Sequence, residues 1–479
     1  MSRTPFLDES GDDHEAARRT AATPSRQRGW AVATAIFVAV ILIGAVWWAM
    51  APGADTVAVD PEPSSTTSTP SPVSSGPLPT EWGRVRPQTA LSGQNRLTLS
   101  GIAWDGERFL AVGTDSLGER LNGVVLESRG GVEWEEIARV PDTSLHDITV
   151  GESRLVAVGT RKFMPIALQS TDGVVWESTT LPFTPGPDDR IGQADTVTAS
   201  RSGFVAGGSV QATGDEPAQS PVVWRSTDGS AWTAADDAVF VTGVEATVND
   251  ILVADDTVFA AGLVSEEPGA SVPVVWVSSP DMGWQRIDLP LAEGAVGFAG
   301  VSGIDRGPSG WVAVGFAPGS TGRIGAVWVS SDGKVWELLG GPGDVFVGST
   351  PNSATHIHAV SAFGEGYVAV GSTFERPRVR HVFWSSPNGR DWRRFDLEDP
   401  DGGLPASSAH AVAPNPAVVA VAGAAFDIAG DLAQGAVWLG PPPPTVTASV
   451  PIVPAEPTPS EQVSGVTVDP DRAVQATQL

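Results

Sequence analysis

An all-β fold, a seven-bladed β-propeller with four-stranded blades, is predicted by three features of this 479-residue chain. A short motif ending in glycine returns about every 50 residues, and a second motif, a turn followed by tryptophan, returns behind it. The last repeat is short of one strand, and a matching strand stands at the start of the folded region.

The first motif reads FLAVG, LVAVG, FVAGG, VFAAG, WVAVG, YVAVG and VAVAG, closing on Gly113, Gly159, Gly208, Gly262, Gly315, Gly371 and Gly423. Successive glycines are 46, 49, 54, 53, 56 and 52 residues apart, the length of four short strands and their turns. The second repeat divides most clearly, into HDITVG, RLVAVG, PIALQS and VVWESTT. A tryptophan marks the third strand at Trp224, Trp276, Trp328, Trp384 and Trp438, and another opens the fourth at Trp134, Trp176, Trp232, Trp284, Trp336 and Trp392. Seven second strands therefore meet six fourth-strand tryptophans. The segment TEWGRVRP supplies the seventh through Trp82, so the first strand is expected to pair with the last and leave no open edge in the ring.

Composition agrees. The chain has 54 Gly, 40 Pro and 17 Trp, which suits short strands joined by turns rather than long helices. Having no cysteine, it can use neither disulfides nor thiolate-bound metals. The net charge of −27 excludes nucleic acid as a partner, since such binding needs a basic surface to displace counterions.

Outside residues 80–440 the sequence changes character. Residues 1–28 read as a cytoplasmic segment, and residues 29–50, GWAVATAIFVAVILIGAVWWAM, as an uncharged signal-anchor helix. At about 1.5 Å per residue such a helix spans a bilayer. Arg18, Arg19, Arg26 and Arg28 precede it, and Asp55, Asp60 and Glu62 follow. By the positive-inside rule the larger part is extracytoplasmic, a single-pass cell-membrane protein with its N-terminus inside. A cleaved leader is the competing reading, weakened by Pro52 and by the length of the apolar run. Residues 51–79 form a linker rich in Pro, Ser and Thr, and residues 441–479 a similar tail, both expected to be disordered.

The turns STDGVVW, STDGSAW, SSDGKVW and SPNGRDW resemble the Asp-box of sialidases and related propellers, shortened by one residue, with SRGGVEW and SSPDMGW degenerate. The resemblance implies a propeller whose Asp172, Asp228 and Asp332 are folding elements on the face away from the ligand. It also implies a list of catalytic groups, most of which this chain lacks. It has no Arg-Ile-Pro, and its sole tyrosine, Tyr367, occupies a strand position filled elsewhere by Trp311 and Phe204. No Gly-x-Ser-x-Gly elbow supports serine catalysis either.

Two sets of candidate ligand-binding residues remain. Counting back from the motif glycine places Asp147, Asp195, Asp250, His358 and His410 at matching positions of the innermost strand, near the central channel. There they either hold a polar ligand or divalent cation, or only cap their own strands and bond neighbouring blades. Arg376, Arg378 and Arg380 alternate along one extended segment, with Arg390, Arg393 and Arg394 in the next hairpin. They form either an anion-binding patch or a set of solvated ion pairs. No cofactor is called for. The expected function is a non-catalytic binding module for an extracytoplasmic protein or cell-envelope glycan; the alternatives are a divergent glycan hydrolase and a scaffold for membrane-complex assembly.

Overall fold

The computed structural model describes residues 80–442, apart from 87, 93–95, 118–119, 184–189, 213–218, 236–244, 268, 321, 340–344, 349–352, 376–377, 397–405 and 428–432. The expected membrane helix, the linker and nearly all of the tail lie outside the described residues. Among those described, no helix is long and apolar enough to cross a membrane.

A two-residue strand β1 (Gly83–Arg84) and a single helical turn α1 (Thr89–Ser92) come first. Antiparallel strands then follow in order: β2 (Arg96–Trp104), β3 (Phe109–Leu117), β4 (Arg120–Ser128) and β5 (Glu135–Pro141). A sheet of four comprises β6 (Thr143–Val150), β7 (Leu155–Arg161), β8 (Met164–Ser170) and β9 (Glu177–Thr180). The next has β10 (Arg190–Ser200), β11 (Gly203–Ala212), β12 (Gln219–Ser226) and β13 (Thr233–Ala234). After it come β14 (Glu245–Ala254), β15 (Thr257–Glu267), β16 (Ala270–Ser279) and β17 (Met282–Asp288). β18 (Gly300–Gly307), β19 (Gly310–Pro318), β20 (Arg323–Ser330) and β21 (Glu337–Leu339) make another. The last of this kind is β22 (Ala354–Phe363), β23 (Gly366–Glu375), β24 (Arg378–Ser386) and β25 (Arg393–Asp396). Finally β26 (Ala406–Pro414), β27 (Val419–Phe426) and β28 (Ala433–Gly440) share one eight-stranded sheet with β1 to β5.

The first strands β2, β6, β10, β14, β18, β22 and β26 each touch the next, and β26 returns to β2, which makes the arrangement a β-propeller. The eight-stranded sheet is joined across its middle by one parallel pairing, Arg96 with Ala433. Besides that pairing, β28 also pairs with β1, with Gly83 opposite Leu439 and Arg84 opposite Trp438, and Val85 N–H donates to Val437 O at 2.8 Å. Trp82 is buried and stacks on Phe383 at 4.5 Å, packed with Val368 and Val370 of one sheet and Val419 and Val421 of the next. Apolar cores of this kind lie between successive sheets, so each sheet is stabilised by its two neighbours.

The Asp-box turns serve the same end. Asp228 Oδ1 accepts from the backbone of Ser230 and Ala231 at 2.8 and 3.0 Å, while Gly229 adopts φ +77°. The Trp232 indole donates to Gly229 O at 2.9 Å. Asp172, Asp332 and Asn388 bond their own turns in the same way. These side chains are occupied with folding, as the Asp-box resemblance implied. Three third-strand tryptophans have a further task, since Trp224, Trp328 and Trp384 donate to the carbonyls of Pro182, Pro290 and Val345 in the connection that enters from the preceding sheet.

The repeated glycine has a reason that is not conformational freedom. In all seven first strands the register slips once, directly opposite that glycine. The bulge swings a carbonyl towards the second strand, so a Cβ on Gly113 would lie 2.1 Å from Thr98 O and one on Gly315 2.0 Å from Gly300 O. Only glycine fits there.

Candidate functional site

The bulged residues are Ser100, His146, Asp195, Asn249, Ser302, His358 and His410, each thirteen residues before its glycine. They form a polar ring on the strands nearest the centre. The five residues expected to match therefore fall in two classes. Asp195, His358 and His410 are bulge residues, whereas Asp147 and Asp250 stand one place further on, beside Thr196 of β10. A bulge turns consecutive side chains in unlike directions, so an offset of one residue is a change of role. His146 and Asn249 belong to the ring and were missed; the constant spacing of thirteen was the signal for them.

Several ring members bond across to the next first strand at one repeated point. His146 Nδ1–H donates to Ala194 O at 2.9 Å, Asn249 Nδ2 to Val301 O at 2.7 Å, and His410 Nδ1–H to Leu99 O at 2.8 Å. The acceptor in each case precedes that strand's bulge, and the His410 bond joins the last first strand to the first. Asp195 receives Gln193 Nε2 at 3.2 Å and lies 3.4 Å from His146 Nδ1.

The second class staples sheets in another way. Asp147 accepts from Ile148 N–H on its own strand at 2.8 Å and from Val197 N–H on the next sheet at 2.9 Å. Asp250 repeats this with Ile251 and Ile304, both at 2.8 Å. Thr196 Oγ1 sits between the two carboxylates, 3.3 Å from Asp147 Oδ2 and 3.2 Å from Asp250 Oδ1, and has one proton for both. Burial pushes the Asp147 carboxyl up to about 6, against the pull of its amide donors. For Asp250, burial first and then the charges of Asp147 and Asp305 push it up to about 7.

The histidines form a directed chain. Because His410 Nδ1 must donate to a carbonyl, its Nε2 accepts from Ser408 Oγ at 2.8 Å. Ser408 has then used its proton and accepts from Ser372 at 2.8 Å, and Ser372 in turn accepts from His358 Nε2–H at 3.1 Å. His358 is thereby held as the Nε2–H tautomer. Burial, with the charges of His410 and Arg323, pushes His358 down to about 3, and burial likewise lowers His356 and His410. All three are neutral at pH 7.

A pH dependence follows. The aspartates have folded values above the unfolded 3.8, so their contribution to stability is complete below about pH 4 and is lost as pH rises through about 6 to 7. The histidines have folded values below 6.5, so theirs is present above pH 6.5 and is lost as pH falls towards 3. D250N is expected to reduce the loss of Tm between pH 5 and pH 8 relative to the unaltered chain. Equal slopes in calorimetric melts at the two pH values would refute the assignment.

Of the arginines, Arg376 lies outside the described residues, and Arg378 opens β24 opposite Glu375. Arg380 lines a cleft of about 420 Å³ with Val345, Val347, Thr373, Glu375, Arg394 and Asp396, and has no ion-pair partner among the described residues. The neighbouring arginines are engaged: Arg394 with Asp396 at 2.7 Å and Val347 O at 2.7 Å, and Arg390 with Glu337 at 2.8 Å. Among the described residues no group of three or more His, Asp or Glu side chains is placed to hold a metal ion, which gives no support to the alternative of a cation at Asp147, Asp195 and Asp250. Tyr367 donates to Gly310 O at 2.8 Å and accepts from Gly307 N–H at 3.0 Å, a bond between sheets.

No family model and no curated protein matches the chain. Among solved structures it is similar to a protein of unknown function from Dyadobacter fermentans, at 13% identity and TM-score 0.44, covering 76% of this chain and 98% of that one. It is also similar to a Trypanosoma rangeli sialidase, at 11% and 0.40 over 74% of this chain and 58% of that one. A phage phi92 endosialidase gives 12% and 0.40 over 84% and 76%. Likenesses at this level carry no function across, and the propeller stands on its own strand pairing.

Proposed function

We propose that residues 80–440 make a ring of seven blades, held outside the cytoplasmic membrane by a helix over 29–50, which binds an extracytoplasmic protein or a cell-envelope glycan without cleaving it. The observation that carries this reading is where the channel's acids and imidazoles spend their hydrogen bonds: Asp147, Asp250, His146 and His410 each bond backbone of the neighbouring first strand. Groups so engaged are poorly placed to exchange protons with a substrate. Recognition falls instead to the Arg380 cleft, whose guanidinium, without an ion-pair partner among the described residues, suits an anionic group. R380E should abolish binding to whichever acidic glycan or acidic protein the full chain retains on a glycan array or an affinity column, with no change in melting. Retention by R380E equal to that of the unaltered chain would remove the cleft from the proposal.

One observation favours the hydrolase reading. Asp147 and Asp250 share a hydroxyl, and their raised values, about 6 and about 7, lie where a general acid operates. Release of a chromophore from aryl glycosides by the unaltered chain, lost in D250N, would establish that reading instead.

A further inference from the structure

Arg323 opens β20 opposite Pro318, and its guanidinium carbon lies 4.5 Å from the ring centre of Phe316. Phe316 meets the ring of His356 edge-on at 4.8 Å, and His356 lies 4.2 Å from His358. The cation therefore sits beside Phe316 of β19, which in turn meets the histidines of β22. Among the described residues Arg323 makes no ion pair and no hydrogen bond. This is notable in a chain with 56 acidic side chains against 29 basic ones, where Arg108, Arg139, Arg286, Arg306, Arg390 and Arg394 each hold a carboxylate.

A guanidinium partly withdrawn from water, with no counter-ion among the described residues, is costly, and its contact with an aromatic face recovers only part of that cost. Its N–H donors form a planar fork that matches two oxygens of one anion. We propose that Arg323 is the anchor of an oxyanion-binding site, taking the carboxylate, phosphate or sulfate group of a ligand. The site is separate from the Arg380 cleft and does not depend on it.

The surroundings supply a reporter. The charges near the two β22 histidines are Arg323 on β20 and, if protonated, His410 on β26, and the Arg323 charge opposes protonation of both His356 and His358. An anion on Arg323 cancels that opposition, so binding should raise the pKa of these histidines, and by reciprocity affinity should rise as pH falls.

The test titrates the purified full chain with sodium phosphate, sulfate or acetate against sodium chloride at constant ionic strength, following the histidine C–H signals by NMR. The His356 and His358 signals should move saturably with at least one oxyanion and not with chloride. R323Q should weaken that binding by about tenfold or more, the loss of one or two charge-assisted hydrogen bonds. R380Q should leave it unchanged. The three oxyanions together tell a carboxylate site from one for phosphate or sulfate. Signals that move no more with any oxyanion than with chloride, or R323Q affinity equal to that of the unaltered chain, would overturn the site. Should R323Q not fold, the titration of the unaltered chain decides by the first criterion.

Discussion

A chain shortened to begin at Arg96 should fail to give the cooperative melt of one beginning at Thr80, and should aggregate on warming. The shortening removes β1, which pairs with Leu439 and Trp438 of β28. It also removes Trp82, which stacks on Phe383 and fills the space between the β22–β25 sheet and the β26–β28 strands. Losing a buried tryptophan costs about 3–5 kcal/mol, a large part of the roughly 5–15 kcal/mol by which a domain is stable. The uncovered β28 then offers an unpaired edge to other chains. Calorimetry and light scattering of the two chains make the comparison. Identical melts would mean that the ring is not closed through Trp82.

Gly315→Ala should destabilise the fold by at least about 3 kcal/mol, more than its one added methyl suggests. The new Cβ would lie 2.0 Å from Gly300 O, in backbone that cannot rotate aside as a side chain can. Relieving the contact requires opening the bulge in β18, and with it the placement of Ser302 and the Ile304 N–H that bonds Asp250. Gly130→Ala is the control, because nothing lies within 4 Å of the added carbon, and a change within about 0.5 kcal/mol is expected. Urea melts measure both. If Gly315→Ala is as mild as Gly130→Ala, the glycine motif has some reason other than the bulge.

How much of this the sequence determined by itself depends on the range of the interactions. The glycine and tryptophan repeats mark strands and turns because their causes are local to one sheet: a carbonyl pressing on Gly315, an indole donating to Gly229. The need for Trp82 followed from counting strands, and β1 pairs with β28 accordingly. The candidate site was legible only in part. His358 and His410 were found because they are histidines at a repeated offset, yet Asp147 was placed with Asp195 although the bulge puts them on different terms with the neighbouring sheet. Spacing along a strand does not say where the alternation of side chains breaks; the pairing partner does. The same holds for charge. Arg376, Arg378 and Arg380 stood out by proximity in sequence, whereas which arginine lacks a counter-ion is decided by what packs around it. Arg323 has no motif at all, and only the placement of Phe316 and His356 beside it sets it apart.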